Sequence, residues 1–394
     1  MVQNSAKLTQ EEEKWLTDAK VQALKFSRKW VFLFFQRQKV KRRRITRDLK
    51  DIPSETTVRL IMGAAQQKIC NGGYLPHQII NLDETAINWG LGPTYVYCAG
   101  SADRGEQEIT DVKSRVTSII MVAANGDFLT VFYIFKHSKT SDESPDQTKM
   151  TVIKNLFLKK GFTYADGWEM KVWERELTIE KKVRNTTVSK TAVHKVIYIK
   201  HQESGDIITS QHKAWNDKVR MAMCIDLILK PEAVKRGGKL FLWQDNCAVH
   251  KVSCLEEIYK EANVMVDYLP PNMTYILQVL DLVVNGPLKA HIRRLRAERI
   301  YEYFQEFKNL YEVEKLKAKE SRKMPKWQCP KPSLHQCIRD LMALFKNGAF
   351  ITHKFKTSIK ESFQATGCAP KGHNSYQQYS ASSNKGNLQI KWNN

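Results

Sequence analysis

The segment from Lys239 to Lys289 constrains this chain more than any other. Leu240-Phe241-Leu242-Trp243 is an apolar run short enough for a buried strand, and it gives way to Asp245-Asn246-Cys247-Ala248-Val249-His250. A second run, Val264-Met265-Val266-Asp267-Tyr268-Leu269, closes on Pro270-Pro271-Asn272. Leu277-Gln278-Val279-Leu280-Asp281 then leads into Gly286-Pro287-Leu288-Lys289. Upstream, Ile79-Ile80-Asn81-Leu82 ends in the same manner, in Asp83-Glu84-Thr85. A carboxylate just off a buried strand is costly unless something binds it, and a divalent cation is the usual remedy. Alone, each of Asp83, Asp245 and Asp281 reads equally well as a capping or turn aspartate; it is their arrangement that points to a metal.

Around these acids the pattern alternates between strands and helices. Ile79 to Leu82 and Tyr95-Val96-Tyr97-Cys98 are expected strands, and Val116 to Ala123 and Phe128 to Phe135 flank Asn125-Gly126, a strong hairpin signal. Residues 139–211 are polar, with short strand-like pieces at Met170 to Val172 and Val196 to Ile199. They read as an insertion on the rim of the core. Trp215 to Leu229 is helical in period through Val219, Met223 and Leu227, and is expected to stop at Pro231. A long mixed-charge helix follows Lys289, and a further helical segment spans Ser333 to Phe345.

The joint order of these tags resembles the pogo/Tigger branch of the mariner-type DDE transposases. The elements are strand-Asp83-Glu84-Thr85, strand-Asp245-Asn246-x-x-x-His250, Leu269-Pro270-Pro271-Asn272-x-Thr274, Leu277-Gln278-x-Leu280-Asp281 and Gly286-Pro287-Leu288-Lys289. The family usually has proline where this chain has Val279, and a Gly-Trp-Met-like helix start where this chain has Ala214-Trp215. Ser362-Phe363-x-x-x-Gly367-Cys368-x-Pro370 is similar to its terminal Phe-x-x-x-Gly-x-x-Pro element. Phe26-Ser27-x-x-Trp30-Val31-x-x-Phe34-x-x-Arg37 resembles the last helix of a centromere-protein-B-type helix-turn-helix, here in partial form.

The resemblance implies an α/β fold with an RNase H-like core: a mixed five-stranded sheet with flanking helices, plus helical N- and C-terminal segments. The expected divisions are a basic helical segment at 1–66, the catalytic core at 67–310, a helical region at 311–372 and a disordered tail at 373–394. It also implies cleavage and strand transfer of double-stranded DNA at transposon inverted repeats, with Asp83, Asp245 and Asp281 as metal ligands and catalytic residues. A homodimer in the nucleus is the expected setting.

The charge balance agrees with a polyanionic partner. Against 41 Asp and Glu stand 63 Lys and Arg, a net charge of +22. Lys39, Lys41, Arg42, Arg43, Arg44 and Arg47 concentrate it, either as a phosphate clamp or as a nuclear import signal. Met1 to Gln10 is polar and the longest apolar runs, such as Trp30 to Phe35, are too short to span a bilayer, so no leader or membrane is expected. The eight cysteines contain no Cys-x-x-Cys pair, and Cys329, His335 and Cys337 fit no standard zinc spacing.

Three aspartates suit Mg²⁺ or Mn²⁺, in all two ions about 3.5–4 Å apart, because hard cations take oxygen ligands. Histidine and cysteine would favour zinc. Glu84, adjacent to Asp83 on a strand, is expected on the opposite face. His250 is expected either to orient Asn246 or a phosphate, or to be a satisfied histidine at a helix start. Besides the transposase, two readings stay open: a domesticated DNA-binding protein without catalysis, and a metal nuclease without strand transfer.

Overall fold

The computed structural model describes residues 33, 37, 53–88, 115–136, 157–158, 161–183, 186–247, 250–298, 334–346 and 350–370. The chain divides into two compact units, Met1–Asp51 and Ile52–Asn394. Of the first, Leu33 and Arg37 are described, both helical and exposed. The six clustered cations from Lys39 to Arg47, the strand expected at Tyr95 to Cys98, Cys329 and the tail at 373–394 lie outside the described residues.

The second unit is built on one eight-stranded mixed sheet flanked by helices. Its strands are β1 (Ile79–Asn88), β2 (Arg115–Ala123), β3 (Phe132–Lys136), β4 (Trp168–Val183), β5 (Thr186–His201), β6 (Ile207–Gln211), β7 (Leu240–Gln244) and β8 (Val264–Tyr268). Their spatial order is β4-β5-β6-β3-β2-β1-β7-β8. Three antiparallel strands followed by two parallel ones, β3-β2-β1-β7-β8, are the RNase H-like core expected from the sequence.

Five strands were expected and eight are present, because the segment read as a rim insertion joins the sheet. β6 pairs in parallel with β3, the open edge of the core, and Asp206 just before it accepts the Val131 N–H at 3.0 Å. β5 and β4 then extend the sheet as a hairpin with 16 residues in each strand. Only the pieces at Met170 to Val172 and Val196 to Ile199 carry enough apolar character to read as strands.

The alternation of side chains gives the sheet two apolar faces. Ile79 and Ile87 of β1 and Phe241 and Trp243 of β7 belong to one, Ile80, Leu82, Leu240 and Leu242 to the other. α1 (Glu55–Asn71) covers the first face with Val58, Met62, Ala65 and Ile69, one stripe of a helix that the Ser54 hydroxyl caps at Thr57 N–H. The position expected to end the N-terminal segment, residue 66, falls inside this helix.

The second face is covered by α2 (Lys218–Cys224), a π turn (Ile225–Leu229), α3 (Lys230–Lys235) and α4 (Ser253–Glu261). Helix was expected from Trp215 and was expected to stop at Pro231. It starts instead at Lys218, with Asp217 as its cap, and passes through Pro231. Pro231 has no N–H to donate and its ring crowds the carbonyl four residues back. The π turn just upstream, closed by Lys230 N–H on Ile225 O, widens the backbone there and lets the helix continue.

The C-terminal helices return to the first face. α5 (Thr274–Leu277) precedes a second π turn (Leu280–Val284), which runs on as helix α6 through 285–298; α7 (Leu334–Lys346) and α8 (His353–Ala365) follow. Behind α8, Cys368 O accepts the Trp243 indole N–H at 2.8 Å and Gly367 O accepts from the Gln66 amide at 2.9 Å. These bonds give the Phe363-to-Pro370 element its place: it locks β7 and α1 together. At the β2–β3 turn, Gly126 has φ +86°, and a Cβ there would lie 2.7 Å from the Lys356 carbonyl oxygen. Glycine is required both by the turn and by the close approach of α8. Among the described residues no helix is long and apolar enough to cross a membrane.

Candidate active site

Strand register brings the first two acids together. β1 and β7 are parallel neighbours with Asn81 opposite Trp243. Two residues further along each strand stand Asp83 and Asp245, the latter one step beyond the end of β7. Adjacent parallel strands run about 4.8 Å apart, so the register brings the backbone of the two acids to the same level, while Asp245, past the end of its strand, turns its side chain to His250.

The third acid is fixed from below by two buried amides. Asn81 donates to Trp243 O and to Gln278 Oε1, each at 3.3 Å, and accepts the Leu280 N–H at 3.1 Å. Gln278 in turn donates to Leu82 O at 3.0 Å. Both side chains are fully buried, and losing either would strand polar groups at about 1–3 kcal/mol each. This network holds the start of the π turn against β1. Val279, where the resembling family has proline, sits at φ −55°, close to the value a proline ring imposes. The missing ring therefore leaves the backbone path unchanged.

Asp281 lies in that π turn, and Asn285 follows it. The Asn285 amide nitrogen donates to Asp83 Oδ2 at 2.6 Å and to Asp281 Oδ1 at 3.1 Å, so the two carboxylates meet at a single nitrogen. Burial pushes the Asp83 carboxyl well above the usual carboxylate range. The charges of Asp281, Glu84 and Asp245 push the same way, and the hydrogen bond from Asn285 opposes them.

Asp245 has a different partner. His250 Nε2 lies 3.2 Å from Asp245 Oδ1 and 3.3 Å from Glu84 Oε1. Burial favours the neutral imidazole, but hydrogen bonds to and charges of Asp245 and Glu84 outweigh it and raise its pKa to about 10. At neutral pH His250 is a buried imidazolium between two carboxylates. Burial likewise raises Asp245, yet the bond and charge of His250 and the Cys247 N–H prevail and hold it below the ordinary value.

Glu84 does point away from Asp83, as strand alternation requires: it also accepts from Asn216 at 2.6 Å, while Asp83 meets Asn285. It is nonetheless tied to Asp245 through His250. The ligand atoms of Glu84, Asp245 and His250 lie within 4.8 Å of one another; Asp83, Asp245 and Asp281 do not form a group that tight.

One residue of the site, and the role of another, are not legible in the sequence. Asn285 bridges the first and third acids, and its only signal was its place four residues after Asp281, one helical turn. His250 was noticed, but not its role as the cation between Glu84 and Asp245.

The donors fit a hard cation. Asp83 and Asp281 offer oxygen alone, and a desolvated carboxyl repelled by its acidic neighbours, as Asp83 is, is the kind of group that a divalent ion relieves.

Among solved structures, the chain is similar to the Mos1 mariner paired end complex with Mn, at 9% identity and TM-score 0.41 over 91% of this chain and 77% of that one. The paired end complex with Mg gives 8% and 0.41 over 89% and 75%. The Mos1 transposase paired-end complex with left transposon end gives 9% and 0.35 over 71% of this chain, spanning 63% of that chain's length. No curated protein matches the chain. Residues 178–326, a span that holds Asp245 and Asp281 but begins after Asp83, match the family model described as DDE superfamily endonuclease.

Proposed function

We propose that this protein is a DDE-type transposase that cleaves double-stranded DNA at transposon inverted repeats and joins the ends to a target. The observation that carries the reading is the meeting of Asp83 and Asp281 at Asn285, beside Asp245 at the end of the neighbouring parallel strand. Asp83, Asp245 and Asp281 would hold Mg²⁺ or Mn²⁺, in all two ions. Bound there, the metal supplies Lewis acidity and a nucleophile at neutral pH, without a dedicated general base. The chain's own contribution is position. The Asn81–Gln278 network fixes the third acid against β1, Asn285 spaces Asp281 from Asp83, and His250 holds Asp245 in its ionised form.

DNA would be gripped through phosphates by Lys39, Lys41, Arg42, Arg43, Arg44 and Arg47, by a homodimer acting in the nucleus. The test is incubation with labelled inverted-repeat DNA and Mn²⁺. The native protein should nick it, and Asp245→Ala should lose nicking while keeping DNA affinity, since binding would be carried by the Lys and Arg cluster and not by this carboxylate. Cleavage that survives Asp245→Ala refutes the site.

A second reading, a DNA-binding protein that no longer cuts, is favoured by one observation. His250 places one positive charge between Asp245 and Glu84, answering half of theirs from the protein itself. Binding without nicking in either Mg²⁺ or Mn²⁺ would select it.

A further inference from the structure

We propose that Trp215 is a stacking platform for an unpaired base of DNA at the edge of the acidic site; this rests on the reading of that site as a DNA-processing centre. The indole is 59% exposed, on a loop that is otherwise tightly built. Gln211 Oε1 accepts the backbone N–H groups of both Lys213 (2.7 Å) and Trp215 (3.2 Å), and Gln211 O accepts that of Ala214. The Thr117 hydroxyl donates to Ala214 O, and Asp217 closes the loop by capping α2 at Arg220 N–H.

Ala214 has no exposed surface and holds φ +54°, a left-handed conformation that a side chain disfavours. Such a conformation persists only where the surroundings enforce it. Its effect is to send Lys213 and Trp215 outward on either side of a buried residue. The next residue, Asn216, reaches the acids directly, donating to Glu84 Oε1 at 2.6 Å. A solvent-facing indole is thus held one residue from a group bonded into the carboxylate cluster, with an exposed lysine two positions before it.

An exposed aromatic ring with an exposed lysine two residues away is a pattern that engages single-stranded nucleic acid. Every base has a π face for the ring, and the backbone answers the charge. At a site that opens DNA strands, the natural occupant is a base released from the duplex near the cut. Trp215 is a positioning residue in this account, because it touches the base and not the reacting phosphate.

The experiment uses the full chain with two probes: a blunt duplex, and the same duplex with a short single-stranded overhang carrying 5-iodouracil. The native protein should bind the overhang more tightly than the blunt end, and light should cross-link iodouracil to Trp215. Trp215→Ala should weaken overhang binding by about 5- to 100-fold and leave blunt-end affinity unchanged, with Trp215→Phe between the two. The cross-link needs no variant, so it decides the matter even if Trp215→Ala folds poorly. Equal overhang affinity for native protein and Trp215→Ala, or cross-links only at other residues, would overturn the proposal while leaving the DNA-processing reading intact. Failure of the native protein to bind either duplex would remove both.

Discussion

The two pairs of acids at the middle of β1 face the same electrostatic problem and meet it differently. On one face Asp83 and Asp281 share the neutral amide of Asn285, which can spread their charge but not cancel it. On the other, Glu84 and Asp245 share the His250 imidazolium, which supplies a compensating charge outright. The first pair is left with a carboxyl pushed up by burial and by its neighbours, the second with an aspartate held down. The difference teaches where a cation is still needed. It also separates two candidate metal sites: the three aspartates, and the tighter group of Glu84, Asp245 and His250.

The most damaging way to break the comparison is Asp83→Asn. It keeps the shape and the bond to Asn285 but removes the charge that a divalent ion would answer. Cleavage should fall to background and Mn²⁺ should no longer raise the melting temperature, with DNA affinity little changed. A Mn²⁺ shift equal to that of the native protein would move the cation site to the other face.

His250→Gln should come next, acting on stability. Removing the cation leaves two half-buried acids with, among the described residues, only Asn216 and the Cys247 N–H as donors, at a cost of about 1–3 kcal/mol. The pH dependence sharpens this in metal-free protein. The folded pKa of about 10 lies above the ordinary histidine value, so the contribution of His250 is fully present below about pH 6.5. It is lost as pH rises through about 10. Urea midpoints of the native protein should therefore decline across that window, and those of His250→Gln should decline less; parallel curves would exclude the imidazolium.

The smallest effect belongs to Glu84→Gln. A glutamine oxygen can still accept from Asn216 and His250, so cleavage should stay within about 10-fold of native, the lower end for losing a supporting partner of a metal ligand. A loss as deep as that of Asp83→Asn would make Glu84 a ligand and the second group the true metal centre.

Sequence exposed the first half of this site and concealed the second for physical reasons. Asp83 and Asp245 are legible because each follows an apolar run, and buried parallel strands announce themselves by continuous hydrophobicity. Asp281 is legible only through the resemblance of its surroundings, since nothing in Leu280 to Val284 distinguishes a π turn from an ordinary helical one. Asn285 depends on that turn and was invisible with it. In the fold, β1, the β2–β3 turn and β7 were readable, whereas β4 and β5 were seen only as fragments. Their length comes from hairpin pairing, with Trp173 and Arg175 lashed to Asp226 and Arg175 to Glu261, and not from a long apolar pattern.

The π turn at Leu280–Val284 has one more consequence, for how the length of this chain can change. A π turn holds one residue more than the α-helical turn it replaces, and Asn285 N–H closes it on Leu280 O. Deleting a single residue between Asp281 and Asn285 would let the helix revert to ordinary winding. Everything after it would keep its orientation, since the α turn covers the same arc with one residue fewer. Adding a residue there has no such outlet: it would swing Asn285 and the apolar stripe of Leu288 and Ile292 by roughly 100°, away from Asp83 and the sheet, although every side chain kept its chemistry. A one-residue change at the outer turn of the β4–β5 hairpin displaces no such stripe. Gain and loss of residues should therefore be free at the arm, whereas at this turn loss should be absorbed and gain barred, a constraint of count and not of kind.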